Sequence, residues 1–317
     1  MPLPRDTESK RVRARLERSP INCLIASFSR APFRFAPERS GELEGYMKTL
    51  GVRVRLIWPG NSFLFFADTS ENLIGANICA LERLWAYAYG YCATLNLLAT
   101  APRGGVVKRP PPATRLLQWA HTSAFSKTEV EWPDSSPRPD QSKHDPNITI
   151  ANEAFLCMAG WILLHEFAHL VRNDGPYEDN NESFNHTMEH NADDWATRMA
   201  INQWRSYRDD PAVLIKRGVS IGFALFLLAA NQAFLGRSLE SRTHPSAIER
   251  IRKFFAHLET NFSPSFGSEV LKIQDAIVAL LFGVMAFGRK PKNLILEHDT
   301  VSDCLDYIES AWKPIRL

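Results

Sequence analysis

The sequence lacks several features that would place it in a readily recognised class of protein. It has five cysteines, and none of them form a CxxC pair, which argues against a disulfide framework and against a cysteine-ligated zinc site. The polar, basic N-terminus contains no apolar segment of the kind found in secretory signals. The two most apolar runs, residues 219–230 and 276–288, are shorter than the roughly 20 residues that cross a bilayer. We therefore expect a cytoplasmic protein with no membrane partner.

Neither sign of charge dominates the composition. The chain has 37 Lys+Arg against 35 Asp+Glu, a net charge of +2, so no general attraction to nucleic acid is expected. With 45% hydrophobic and 23% charged residues, the composition is that of an ordinary globular protein. The 317 residues are enough to bury a sizeable core.

Hydrophobic periodicity predicts a mainly α protein with a small N-terminal α+β portion. Residues 1–18 are predicted to be a disordered basic tail, because apolar residues are sparse there. Residues 19–148 are predicted to form the α+β portion with Pro-rich loops, and residues 149–317 a helical domain, both within one compact unit. The runs RVRLIW and FLFFA flank a turn cluster at residues 59–61, which predicts a β-hairpin. Helices are predicted over residues 78–99, 116–125, 150–172, 184–204, 213–235, 245–258, 268–287 and 302–312.

The stretch WILLHEFAHL, residues 161–170, places three polar side chains in an apolar helical run. His165 and His169 are four residues apart, so a helix presents both imidazoles on one face, where they can bind one Zn²⁺. In HExxH metallopeptidases the glutamate after the first histidine is the general base that activates water. The pattern also occurs by chance in helices, but a buried histidine pair without a partner would carry a desolvation cost. We therefore interpret His165, Glu166 and His169 as part of a metal site.

A catalytic zinc ion normally has three protein ligands and one position open for water. The extension HExxHxxGxxH is absent, because Arg172 and Gly175 occupy the later glycine and histidine positions. Glu189 is the favoured third ligand, since an antiparallel pair of helices would bring it back to His169. Asp193, four residues later, shares its face and could accept the second ring N–H of a ligating histidine.

Other residues compete for the third position. His186 and His190 are also four residues apart and could form a second metal pair, with Glu182 nearby. The simpler interpretation is that they are exposed polar residues at a helix start. His190 also points roughly 100° away from Glu189 on a helix, so Glu189 remains the better candidate.

The segment SRTHPSAIERIRKFF, residues 241–255, has the features of a helix start, with Thr243 as a candidate cap. His244 is either a polar residue beside that cap or a donor to a developing oxyanion. Arg250 either anchors the acidic cluster, binds substrate, or has no functional role. The residues alone leave these alternatives open.

Three motifs occur in the order HEFAH, EHNAD and THPSAIERI. This order resembles the HExxH, ExxAD and HPxxxxRI motifs of gluzincin metallopeptidases of the HtpX type. Within that group the sequence is most similar to the Lit-type phage-exclusion peptidases. The resemblance extends from about residue 18 to the C-terminus, and further supporting stretches are RSPINCLIASFSRAPFRFAPE, LERLWAYAYGYC and FLCMAGWILLHEFAHLV.

The resemblance implies a gluzincin-type helical core that binds one Zn²⁺ per chain. His165, His169 and Glu189 would be the ligands and Glu166 the catalytic base. Asp193 would support a ligand, and His244 and Arg250 would lie near the active centre.

The resemblance also implies a target and a trigger. Lit-type proteins are cytoplasmic endopeptidases that cleave translation elongation factor Tu when a phage capsid-protein segment binds it, so that translation stops in the infected cell. The basic tail and the segments 131–147 and 173–185 do not follow the family, which puts the same target and activator in doubt. Two rival interpretations remain: a housekeeping or regulatory peptidase with another target, and a non-catalytic binding module held together by the metal.

Overall fold

The computed structural model shows two compact units, residues 1–175 and 176–317. The predicted domain limit at residue 148 falls just inside a long helix that ends the first unit. The structure describes residues 5–57, 65–100, 111–123, 130–142, 145–175, 181–201, 210–234, 244–285 and 300–311.

The first unit contains seven α-helices and three strands among its described residues. The helices are α1 (Arg5–Arg18), α2 (Asn22–Phe28), α3 (Ala31–Phe35), α4 (Ser40–Leu50), α5 (Ile78–Thr100), α6 (Pro111–Ser123) and α7 (Pro146–Arg172). The strands are β1 (Arg53–Ile57), β2 (Phe65–Asp68) and β3 (Leu73–Asn77). A mainly α protein with a small N-terminal α+β portion is therefore confirmed.

The sheet has the strand order β1-β3-β2. β3 pairs with β1 in parallel and with β2 antiparallel, so the predicted hairpin between β1 and β2 is wrong. The pairing follows from burial, because β3 is buried along its whole length and takes the central position. Between β2 and β3 the Asp68 carboxylate accepts hydrogen bonds from the backbone N–H groups of Ser70 and Glu71, which closes the turn.

Helix α1 (Arg5–Arg18) occupies most of the segment that the sequence predicted to be a disordered tail. Arg15 is buried and pairs with the carboxylate of Glu82 on α5. The hydroxyl of Ser19 donates to the same carboxylate at 2.6 Å. Because Glu82 lies far along the sequence, composition alone could not reveal the partner that orders this helix.

Helix α7 is the central helix of the first unit and contacts α2, α3, α4 and α5. At its N-terminus the Asp145 side chain accepts a hydrogen bond from the backbone N–H of Asn147, which caps the helix. A β-carbon at Gly160 would lie 2.8 Å from the β-carbon of Phe35, so glycine permits the close approach of α3. Among the described helices, α7 has the length and composition of a membrane span, and 83% of its most apolar window is buried in the fold.

The second unit contains four described helices: α8 (Glu182–Ile201), α9 (Pro211–Phe234), α10 (Ala247–Met285) and α11 (Val301–Ala311). Two of the predicted helices form the single long element α10, which has a non-helical residue at Phe266. Gly222 of α9 lies against the side chain of Ile277 of α10, so these two helices pack closely. Thr243, the predicted cap, lies outside the described residues.

Candidate metal and catalytic site

The predicted histidine pair lies on α7, where the apolar residues of the motif anchor it in the core. His165 and His169 are buried, whereas Glu166 between them is half-buried. Every other residue of the stretch 161–170 is buried. The buried apolar residues therefore anchor the part of the helix that carries both imidazoles, and Glu166 keeps partial exposure to solvent.

The two imidazoles face each other through their Nε2 atoms, which are 3.3 Å apart. Their ring planes are nearly perpendicular, at 84°. Two nitrogen ligands at the usual 2.0–2.1 Å from a tetrahedral zinc ion lie about 3.3–3.4 Å apart. The separation of His165 and His169 therefore fits two ligands of one metal ion.

Asp174 contacts the second histidine of the motif. Helix α7 ends at Arg172, and Asn173 adopts a left-handed conformation with φ of 52°. The next residue is thereby turned back, and its Oδ2 atom lies 2.9 Å from Nδ1 of His169. Asp174 was not among the predicted site residues, although an Asn-Asp-Gly run after the motif is a recognisable helix end.

Glu189 and Asp193 share one face of α8, as their spacing predicts, and both contact Arg250 of α10. Arg250 donates from Nε and Nη2 to the two carboxylate oxygens of Asp193, each at 2.6 Å. Its Nη1 atom is 3.5 Å from Oε2 of Glu189. The side chains of Glu189 and Arg250 are only 1% and 4% exposed, so a buried cation holds two neighbouring carboxylates in place.

His244 lies near the same acidic pair. Its Nε2 atom is 3.6 Å from Oε1 of Glu189, and its side chain is 42% exposed. The structure therefore brings His244 and Arg250 together with Glu189, and both stay candidates for roles in the site.

The competing histidines have other contacts. Nε2 of His190 lies 2.8 Å from a carboxylate oxygen of Glu249 on α10. Burial, with a further contribution from Lys253, lowers the pKa of His190 below its ordinary value. His186 lies 3.8 Å from Glu182, one turn earlier on α8.

His165, His169 and Glu189 form a buried group whose potential ligand atoms all lie within 4.8 Å of one another. No second group of this kind occurs in the part of the chain that the structure describes. Two imidazoles and a carboxylate are the donor set of many catalytic zinc sites, and they also suit other first-row metal ions. The residues therefore fit a metal ion with three protein ligands.

Comparisons with known proteins agree with a peptidase. The Peptidase U49 family matches residues 74–266, a range that includes every candidate residue above. The chain is 26% identical over 247 residues to the cell death peptidase of Escherichia coli (strain K12), a match that covers 74% of this chain and 80% of that protein. No solved structure matches the chain. Since the family match covers more than half of the sequence, the chain belongs to the Peptidase U49 family.

Proposed function

We propose that the protein is a zinc-dependent endopeptidase that hydrolyses a peptide bond in a cellular protein. The observation that carries the proposal is the buried group of His165, His169 and Glu189, with the half-buried Glu166 next to the first ligand. Membership of a peptidase family supports the same reaction. The three-ligand group favours a catalytic over a structural metal, because structural zinc sites usually have four protein ligands.

Glu166 would act as the general base of the reaction. A bound zinc ion would lower the pKa of a coordinated water and polarise the substrate carbonyl. The Glu166 carboxylate accepts a proton from the attacking water, and the remaining hydroxide adds to the carbonyl carbon. As the C–N bond breaks, Glu166 returns this proton to the leaving nitrogen. No covalent intermediate with the protein is needed.

The residues around Glu189 would support this chemistry. His244 is partly exposed and close to Glu189, so its ring N–H could donate to the developing oxyanion of the substrate. Arg250 and Asp193 would fix the position of the Glu189 carboxylate through their ion pairs.

We extend the proposal to the biological target. The substrate would be translation elongation factor Tu or a similar protein, cleaved in the cytoplasm as part of abortive-infection defence against phage, with a phage protein as activator. The motif resemblance in the sequence and the name of the Escherichia coli relative support this proposal. A housekeeping peptidase with another target is the alternative that the same site chemistry allows.

The test compares wild type with Glu166→Gln in a bacterial host, with and without phage challenge. The substitution keeps the shape of the side chain and removes the base. Glu153→Gln is the matched control, since Glu153 is an exposed residue of the same helix outside the motif. Protein fragments are compared across the proteome by mass spectrometry.

We expect fragments with wild type and with Glu153→Gln, and none with Glu166→Gln, although this variant still binds zinc. Fragments of elongation factor Tu after phage challenge would identify the proposed target. Fragments of another protein without challenge would favour a housekeeping peptidase. Unchanged proteolysis by Glu166→Gln would refute the mechanism, and full biological activity of that variant would favour a non-catalytic binding module.

A further inference from the structure

We infer that Asp174 is a positioning residue that fixes the tautomer and the ring orientation of His169. This inference rests on the proposed metal site, for which it names an additional residue. Asp174 lies outside the HExxH motif, five residues after His169.

The backbone at the end of α7 sets the position of Asp174. The N–H of Asn173 donates to the carbonyl of Leu170 at 3.2 Å, and the N–H of Asp174 donates to the carbonyl of His169 at 3.0 Å. With Asn173 in the left-handed conformation, these bonds form a helix end that closes without any side chain. The Asp174 side chain is therefore not needed for the turn.

The Asp174 carboxylate divides its two oxygens between two partners. Oδ2 lies 2.9 Å from Nδ1 of His169, and both side chains are largely buried, at 11% and 10% exposure. Oδ1 lies 3.5 Å from Nε of Arg172, whose side chain is 38% exposed. The short, buried contact is thus made with the histidine.

This contact determines which ring nitrogen carries the proton. An ionised carboxylate only accepts hydrogen bonds, so Nδ1 of His169 must be the donor. In the neutral ring, Nε2 then has a free lone pair, and this is the atom that faces Nε2 of His165 at 3.3 Å. Such carboxylate–histidine pairs orient metal ligands and increase their basicity.

The experiment measures the zinc affinity of the full-length chain by competition with a chromogenic chelator. Asp174→Ala removes the acceptor, and Asp174→Asn keeps its size but weakens it. Arg172→Gln is the control, because it removes the other partner of Asp174 and leaves His169 untouched. We expect about 10–100-fold weaker zinc binding for Asp174→Ala, a smaller loss for Asp174→Asn, and little change for Arg172→Gln.

The second measurement is the ¹⁵N chemical shift of the His169 ring in the metal-free chain, assigned with the variant His169→Gln. Wild type should show the proton on Nδ1, and Asp174→Ala should shift the population towards Nε2–H. A loss of stability that leaves the hydrogen bonds of the His169 ring intact would not change the tautomer.

An unchanged tautomer in Asp174→Ala would overturn the inference, as would wild-type zinc affinity in this variant. If wild type binds no zinc, the proposed function fails instead, and the tautomer measurement still tests the role of Asp174.

Discussion

Arg250 pairs with two carboxylates of α8, the buried Glu189 and the half-buried Asp193. Its guanidinium group donates a bidentate pair of hydrogen bonds to Asp193, and its Nη1 atom lies 3.5 Å from Oε2 of Glu189. A buried ion pair adds little relative to an apolar replacement of both partners, but removal of one partner leaves an uncompensated charge. The acidic pair therefore requires a cation at position 250.

We expect Arg250→Met to lower the free energy of unfolding by about 3–5 kcal/mol, because Glu189 and Asp193 would lose the guanidinium group that pairs with them. Arg252→Met is the matched control on the same helix. Arg252 pairs with Asp306, whose side chain is 67% exposed, so a loss of only about 0–1 kcal/mol is expected. Urea denaturation of the metal-free chains measures both values. Equal losses would contradict the proposed dependence on Arg250.

Some residues of the site could be predicted from the sequence, whereas others could be found only from the conformation and packing of the chain. His165, Glu166 and His169 could be predicted together because helical spacing alone places them on adjoining positions. Asp174 could not be predicted with the same rule, because its contact depends on the left-handed conformation of Asn173. That Arg250 anchors the acidic cluster was one of the alternatives that the sequence left open, and the packing of α10 on α8 shows its contacts with Asp193 and Glu189.

Beside the contact between Glu189 and Arg250, further charged contacts join the helices α8 and α10. His190 contacts Glu249, Asp193 contacts Arg250, and Asp194 lies 3.6 Å from Nδ1 of His257. Periodicity predicted α8 to within a few residues, and it predicted α10 as two separate helices. It could not predict these contacts, since they depend on the relative register of two helices that are distant in sequence.

His257 makes this helix pair sensitive to pH. Burial is the main influence on its pKa and lowers it; Asp194 raises the pKa and Arg198 lowers it, with a net decrease from the ordinary value. The unfolded chain therefore binds more protons at this position than the folded chain as the pH falls below about 6.5. The folded state favours the neutral ring of His257, so its contribution to the free energy of unfolding is complete above that pH and is lost as the pH falls below it.

We expect the free energy of unfolding to fall less between pH 7.5 and pH 5.5 in His257→Gln than in wild type. Urea denaturation at the two pH values, with both proteins in the same zinc-free buffer, gives the comparison. An identical decrease in both proteins would show that His257 does not contribute to the pH dependence.

Two of the three strands of the sheet could be predicted from the sequence, but the third strand and the pairing could not. The runs that form β1 and β2 were predicted from their β-branched and aromatic residues. β3, with the sequence LIGAN, was missed because it is short, buried on both sides and has no alternation of polar residues. The parallel pairing of β1 with β3 joins strands that are not consecutive in the sequence. The turn residues between β1 and β2 therefore could not predict it.

The molecule as a whole should respond to metal removal, because a ligand that binds only the folded state stabilises it. At a free zinc concentration 100 times the Kd, the expected stabilisation is about 2.7 kcal/mol. A chelator should therefore lower the Tm of wild type and of Glu166→Gln alike, as both keep the three proposed ligands. His165→Ala should show the lower Tm with or without zinc.

Differential scanning fluorimetry with and without the chelator measures these effects. A Tm of wild type that is insensitive to the chelator would argue against a metal bound by the folded chain. A chelator-sensitive Tm in His165→Ala would place the metal at other residues.

The glycine at position 160 has a consequence for how the length of the chain can vary. Because α3 approaches Gly160 so closely, this position sets the rotation of α7 about its own axis. One residue inserted or deleted between Gly160 and His165 would turn the two histidines by about 100° relative to the packed face. Substitutions in this interval change one side chain each, whereas a change of length would move the entire HExxH motif. Natural insertions that preserve activity should therefore lie outside the interval between Gly160 and His169.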